Sequence, residues 1–178
     1  GTFSPLLFKM LHTISASFFS KARSLAEFEK CPDVVEEYFY MVARSMQCCP
    51  AQLVAFNGMR TIVLACLTAL EVPHRGVQKG SLTFLHKFSS IAAFSKFDSV
   101  TSKHVKDIVK ESLLSICLSF LLNVSGRIPP FALLHDDIAD VLFTMKTIEN
   151  LGVSFEEGFE SAVQSLPNQA SREVVLKV

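Results

Sequence analysis

The chain contains no tryptophan and only 2 tyrosines among 178 residues, although it contains 16 phenylalanines. Because phenylalanine carries no polar group, this aromatic composition favours a packed interior over a polar ligand pocket. Proline and glycine are also scarce, at 7 each, while hydrophobic residues make up 49% of the chain. These values exclude a disordered or low-complexity protein. The length suffices for one domain with a substantial core, or for a few structural repeats.

Neither sign of charge is in excess, since 17 basic residues balance 17 acidic ones. No overall electrostatic field would steer nucleic acid or an anionic membrane, so we predict no direct binding to nucleic acid and none to a membrane. The longest apolar stretch, residues 113–124, is interrupted by Ser115, Ser119 and Asn123. It is too short to span a bilayer, which needs about 20 residues.

The chain has 5 cysteines and no CxxC pair. An odd number without metal-type spacing is typical of reduced intracellular thiols that serve as small apolar residues. We therefore predict packing roles for all of them: Cys31, Cys48, Cys49, Cys66 and Cys117.

Hydrophobic periodicity predicts an all-α protein with about seven helices, and no useful length of sequence alternates as a strand does. The clearest helix lies between Cys31 and Pro50. Pro32 suits its first position, and acidic residues in its first turn suit the positive end of the helix dipole. Its predicted buried face contains Val35, Tyr38, Phe39, Val42 and Met46.

One helix is predicted before this one and five are predicted after it, and residues 51–57 are predicted to be a linker. Asp98 is the expected N-cap of the fifth helix, Asn150–Gly152 the end of the sixth, and Ser154 the N-cap of the seventh. A turn is predicted at 126–130 and a stop at Pro167. The predicted helices run approximately over 5–21, 58–72, 74–94, 101–124, 130–149 and 154–166. The predicted inner face of the first contains Leu7, Leu11, Ile14 and Phe18.

The helix starts repeat along the chain. Helices two, four and six begin near 32, 75 and 130, and helices three, five and seven near 58, 101 and 153, which is a spacing of about 43 to 55 residues. HEAT repeats have a period close to this, so we predict an α-α superhelix, a HEAT-repeat solenoid fragment built from antiparallel helix pairs. A compact seven-helix bundle with an unrecognised ligand site is the alternative. The predicted division is 1–28 (second helix of a preceding repeat), 31–72, 74–124 and 129–167 (one repeat each), and 168–178 (start of the next helix).

Two segments resemble the C-terminal repeats of the importin-β superfamily of nuclear transport receptors, most closely its transportin-SR and importin-thirteen branch. In that branch a helix opens with His-Pro-Asp and acidic residues and closes with a proline; here Cys31 replaces the histidine. The first match is carried by Pro32, Asp33, Val35, Glu36, Glu37, Pro50 and Leu53. The second is carried by Pro129, Pro130, Ala139, Val141, Leu142, Leu166 and Pro167.

The resemblance implies a nuclear import carrier fragment that shuttles between cytoplasm and nucleus and binds cargo proteins, including splicing factors with arginine-serine domains. It implies regulation by the Ran GTPase through the full-length protein, mainly outside this segment, and nucleoporins as further candidate partners. The arginine-rich cargo helix of the family has no match here, and the neutral charge departs from the family's acidic character. A HEAT-repeat scaffold unrelated to transport is the alternative function.

Catalytic motifs are missing from the sequence. There is no GxSxG, no HExxH and no phosphate-binding glycine loop, so we predict that the protein is not an enzyme and has no catalytic, cofactor-binding or metal-binding residues. His135 and Asp136 would point about 100° apart on a helix, and acidic residues in a first turn are already explained by the helix dipole.

Two charged clusters are the candidate partner-binding sites. The family resemblance places both on the cargo-facing helices of their repeats, so we expect phosphorylated or acidic partners at the first and basic partners at the second. The plain alternative is a solvated helix face. The lysine stripe consists of Lys103, Lys106 and Lys110. The glutamate patch consists of Glu156, Glu157 and Glu160.

Overall fold

A computed structural model describes residues 3–21, 24–94, 98–124, 134–148 and 152–165. The chain divides into two compact units, Gly1–Lys87 and Phe88–Val178. Throughout the described residues the regular structure is helical, without strands, so the all-α prediction is confirmed. In these same ranges no helix is both long enough and apolar enough to cross a bilayer.

The described helices are α1 (Phe3–Lys21), α2 (Leu25–Lys30), α3 (Pro32–Cys48), α4 (Pro50–Val54), α5 (Met59–Leu70), α6 (Arg75–Ala93), α7 (Ser99–Val124), α8 (His135–Lys146) and α9 (Gly152–Ser165).

Two short helices were not predicted. In α2, the Ser24 backbone N–H donates to the Glu27 carboxylate at 3.1 Å, which satisfies one free donor at the start of a helix. In α4, Pro50 occupies the first helical position, so the residue expected to stop α3 also starts the next helix. The described part of 1–28 therefore contains α1 and most of α2, and the predicted linker 51–57 is partly helical.

The predicted start and end of the sixth helix and the predicted N-cap of the seventh were wrong. The sixth, α8, begins at His135 rather than near 130 and ends at Lys146, because the Thr147 N–H closes the last turn onto Phe143 O at 3.1 Å. The seventh, α9, begins at Gly152, so Ser154 lies inside it and is not its N-cap. The predicted turn at 126–130, Pro167 and the segment 168–178 lie outside the described residues.

The predicted cap of α7 is confirmed. The Asp98 carboxylate accepts hydrogen bonds from the Thr101 N–H at 2.8 Å and from the Thr101 hydroxyl at 2.6 Å. These bonds favour the ionised carboxylate and hold the pKa of Asp98 below its ordinary value.

We expect this cap to make stability depend on pH. Because the folded-state pKa is lowered, the stabilisation is present above the unfolded pKa of about 3.9 and is lost as the pH falls through the lower folded value. Asp98→Asn should therefore lower the melting temperature at pH 7, by a difference that shrinks between pH 5 and pH 2. Thermal circular dichroism would measure this, with the exposed Asp107→Asn on the same helix as control. A difference that does not change with pH would contradict the assignment.

The core of the first unit is built around α3. All five residues of its predicted inner face are buried. The Tyr38 ring stacks on Phe18 of α1 with centroids 4.1 Å apart, and its hydroxyl shares a 3.0 Å hydrogen bond with Ser15. The start of α3 therefore lies beside the end of α1.

On its other side α3 packs against α6. A Cβ atom at Gly80 of α6 would lie 3.1 Å from the Glu36 carbonyl oxygen and 3.6 Å from the Phe39 Cβ. Glycine thus allows the two helices to approach closely, and one turn further along, the Phe39 and Phe84 ring centroids are 6.0 Å apart.

A buried glutamine joins α5 to α6. The Gln78 side-chain amide donates to Leu70 O at 2.9 Å and to Val72 O at 3.0 Å. Carbonyls at the C-terminus of a helix have no partner within the helix, so the first bond satisfies the Leu70 carbonyl, while the Val72 carbonyl also accepts the His74 N–H at 2.7 Å. A further contact joins the same two helices, since the Cys66 thiol of α5 donates to Ser81 O of α6 at 3.4 Å.

In the second unit, α7 packs directly on α9. Leu113, Cys117 and Leu121 form a cluster with Ala162. A Cβ atom at Gly158 would lie 3.2 Å from Leu113 Cδ2, so the small residues of α9 allow this contact.

The cysteine prediction was right for three residues. Cys49, Cys66 and Cys117 are buried, Cys31 is half-buried, and Cys48 is exposed, so a packing role for Cys48 was wrong. Burial raises the pKa of the Cys117 thiol to about 11, which makes it a poor nucleophile at neutral pH.

Candidate functional site

The lysine stripe lies on the first half of α7. Lys103 and Lys110 are exposed and Lys106 is half-buried. Lys106, Lys110, Leu113 and Cys117 follow one another at spacings of four, three and four residues. Their side chains therefore lie along one side of α7. Because α9 covers the apolar part of this side, the stripe leads directly to the α7–α9 contact.

The glutamate patch lies on the opposite side of α9 from that contact. Its three residues are exposed. Glu160 is two positions from Gly158, which touches α7, and a step of two residues turns an α-helix by about 200°. The structure thus brings the two helices together but places the two clusters on different sides of the pair.

Both clusters are suited to charged partners. Exposed lysine ammonium groups pair with phosphates or carboxylates as point charges, and exposed glutamates pair with basic side chains. Separate sides of one helix pair would contact separate parts of a long partner, rather than enclose a small molecule.

A further cluster, which the sequence interpretation missed, joins α3 to the start of α6. Asp33, Glu36 and His74 each offer one ligand atom, and these atoms lie within 4.8 Å of one another. Asp33 and Glu36 are three residues apart on one helix turn, which was visible in the sequence. His74 joins them only through the packing of α6 on α3.

Contacts within the protein account for the positions of His74 and Glu36 in this cluster. His74 Nδ1 accepts the Val77 N–H at 3.3 Å and lies 3.9 Å from Glu36 Oε2. Gly76 leaves the space that the Glu36 carboxylate occupies, since a Cβ there would collide with it. The carboxylate therefore lies at the N-terminus of α6, where the helix dipole favours negative charge. The predicted non-ligands His135 and Asp136 are exposed in the first turn of α8.

An open apolar groove of about 890 Å³ runs between α1 and α3. Its walls include Ile14 and Phe18 on one side and Val34, Tyr38 and Met41 on the other. Ile14 was predicted to face inward but is 40% exposed. It belongs to a second apolar stripe of α1, in which Leu6, Met10 and Ile14 recur every four residues and are all exposed. This four-residue spacing of apolar residues is visible in the sequence and could have indicated an apolar surface on α1.

The lysine stripe and the groove both follow the length of helices. Such surfaces suit protein segments, whereas small-molecule sites are more enclosed. Comparison of the chain with known protein families, with curated protein sequences and with solved structures gives no match.

Proposed function

We propose that this chain is a HEAT-repeat segment of an importin-β-type nuclear transport receptor and that it binds partner proteins along its helical surface. The observation that carries the proposal is the contact between equivalent helices. In the repeat scheme, α3 and α6 are first members of successive pairs, and α7 and α9 are second members. The first two pack through Gly80 and Phe39, the other two through Gly158 and Leu113. Stacked helix pairs require such contacts, whereas a compact bundle does not.

The family resemblance supports the same conclusion. Its first match depends on where one helix opens and closes. In the structure α3 begins at Pro32, has Asp33 in its first turn, and ends two residues before Pro50. A helix that opens with proline and aspartate and closes shortly before a proline is the feature on which the first match rests.

In this proposal the protein carries cargo between cytoplasm and nucleus, releases it when GTP-bound Ran binds the full-length receptor, and makes or breaks no covalent bond. Proteins with arginine-serine domains are the proposed cargo. Phosphorylated segments would pair with the lysine stripe, and basic segments with the glutamate patch. The second candidate, a HEAT-repeat scaffold outside transport, rests on the same contacts between equivalent helices.

The lysine stripe can be tested with a synthetic phosphorylated arginine-serine peptide. Replacing Lys103, Lys106 and Lys110 together by alanine should weaken binding by about tenfold, because three charge pairs at the surface contribute roughly 0.5 kcal/mol each. Fluorescence anisotropy would measure the dissociation constant at two salt concentrations. The variant should also show a weaker dependence on salt.

A matched control removes the same charge elsewhere. Lys30, Lys79 and Lys146 are exposed on three other helices, and their triple alanine variant should bind the peptide like the unmodified chain. Equal affinity of both triple variants would exclude the lysine stripe as the binding site. On the full-length receptor, release of cargo by GTP-bound Ran would support the carrier, and no response to Ran would favour the scaffold.

A further inference from the structure

We propose that the chain forms a symmetric dimer in which α1 of each copy lies in the groove between α1 and α3 of the other. This goes beyond the proposed transport function, and it concerns only the first unit. The dimer would bury apolar side chains that a single copy leaves in water.

The apolar residues along the groove form one surface. Leu6 is 58% exposed and Met10 52%, and both line a shallow hollow on α1 together with Ile14. Ile14 also lines the groove, as does Val34, which is 57% exposed, so the hollow and the groove are continuous at Ile14. Exposed apolar residues that are grouped in this way, rather than scattered, mark interaction surfaces. A groove between two helices is suited to a third helix that presents residues spaced by three and four.

The charges at the rim of the groove indicate which helix binds in it. The rim of the groove carries two exposed carboxylates, Asp33 and Glu37. A complementary helix should therefore have an apolar stripe, a basic residue beside it and no acidic residue. Helix α1 meets all three conditions, since its sequence FSPLLFKMLHTISASFFSK contains no acid and its exposed Lys9 adjoins Met10.

The packing of α3 on α1 agrees with a two-fold dimer in which Lys9 of one copy meets Glu37 of the other. Tyr38 touches Ser15 and Phe18, so the acidic start of α3 lies beside the C-terminal part of α1. In a two-fold dimer with the α1 helices antiparallel and crossing near Ile14, position 9 of one copy lies opposite position 19 of the other. Lys9 of each copy then lies near Glu37 of the other, and the contact occurs twice.

Sedimentation velocity of the 178-residue chain over a range of concentrations would test this. We expect a concentration-dependent dimer, and Met10→Glu should raise its dissociation constant at least about tenfold, because a carboxylate would be buried in the apolar contact. The control is Leu64→Glu, at a residue equally exposed on α5, which should leave the dimer unchanged. Circular dichroism would verify that both variants remain helical.

A charge exchange identifies the contact itself. Lys9→Glu alone and Glu37→Lys alone each create two like-charge contacts and should each weaken the dimer by about tenfold. Mixing the two variants should restore dimerisation, because both contacts in the mixed dimer again join opposite charges. A monomer at all concentrations, a dimer insensitive to Met10→Glu, or no recovery in the mixture would each overturn the proposal.

Discussion

Replacing Phe39 by alanine is expected to lower the free energy of unfolding by about 3–5 kcal/mol. The side chain is fully buried. It lies between the rings of Tyr38 and Phe84, with centroids at 5.3 Å and 6.0 Å, and beside Gly80. Because the close approach of α3 and α6 leaves little freedom to collapse, truncation would leave a cavity as well as lose apolar burial. Urea denaturation followed by circular dichroism would measure the change.

Leu64→Ala is the matched control for this experiment. Leu64 is 58% exposed on α5, and its truncation should alter the free energy of unfolding by no more than about 0.5 kcal/mol. If Phe39→Ala were as mild as this control, Phe39 would not hold α3 against α6. The contact between equivalent helices that supports the proposed function would then lose its main energetic support.

Replacing Gln78 by methionine should destabilise the protein by about 1–3 kcal/mol. Methionine has a similar volume but cannot donate, so the carbonyls of Leu70 and Val72 would lose the hydrogen bonds that Gln78 supplies. The residue is 1% exposed, so water cannot replace these bonds without entering the core. The free energy of unfolding is again the measurement.

The same substitution at an exposed glutamine separates the hydrogen bonds from the change of side chain. Gln47 lies on the solvent side of α3, and Gln47→Met should be nearly neutral. Similar effects for the two variants would contradict the role assigned to Gln78. Amide exchange should accelerate at the end of α5 in Gln78→Met only, because this end is where the bonds are made.

The most periodic elements were predictable because their signals are local. The apolar spacing of α3, its proline at the first position and its acidic first turn all belong to one short segment, and the structure confirms its bounds and its buried face. The Asp98 cap of α7 was predictable for the same reason. The predicted ends of α8 and the predicted N-cap of α9 were wrong because the sequence signals near 130 and 150 fit more than one boundary.

The candidate surfaces were less predictable. The members of the lysine stripe could be read from one helix, but its continuation into the α7–α9 contact could not. Ile14 was assigned to the core because Leu11 and Phe18 are on nearly the same side of α1, and periodicity cannot distinguish a covered side from an open one. His74 lies 38 positions after Glu36, and nothing local indicates that they meet.

The sequence by itself determined that this chain is helical, where its main helices lie and which residues are available for burial, because the 3.6-residue period and the capping residues act within a few residues. Only the tertiary structure decided which helices meet, that Gly80 lies against α3 and Gly158 against α7, and that the apolar groove between α1 and α3 stays open to solvent. These outcomes depend on fitting side chains from distant segments together, and the free energy of that packing is not recorded in any single segment.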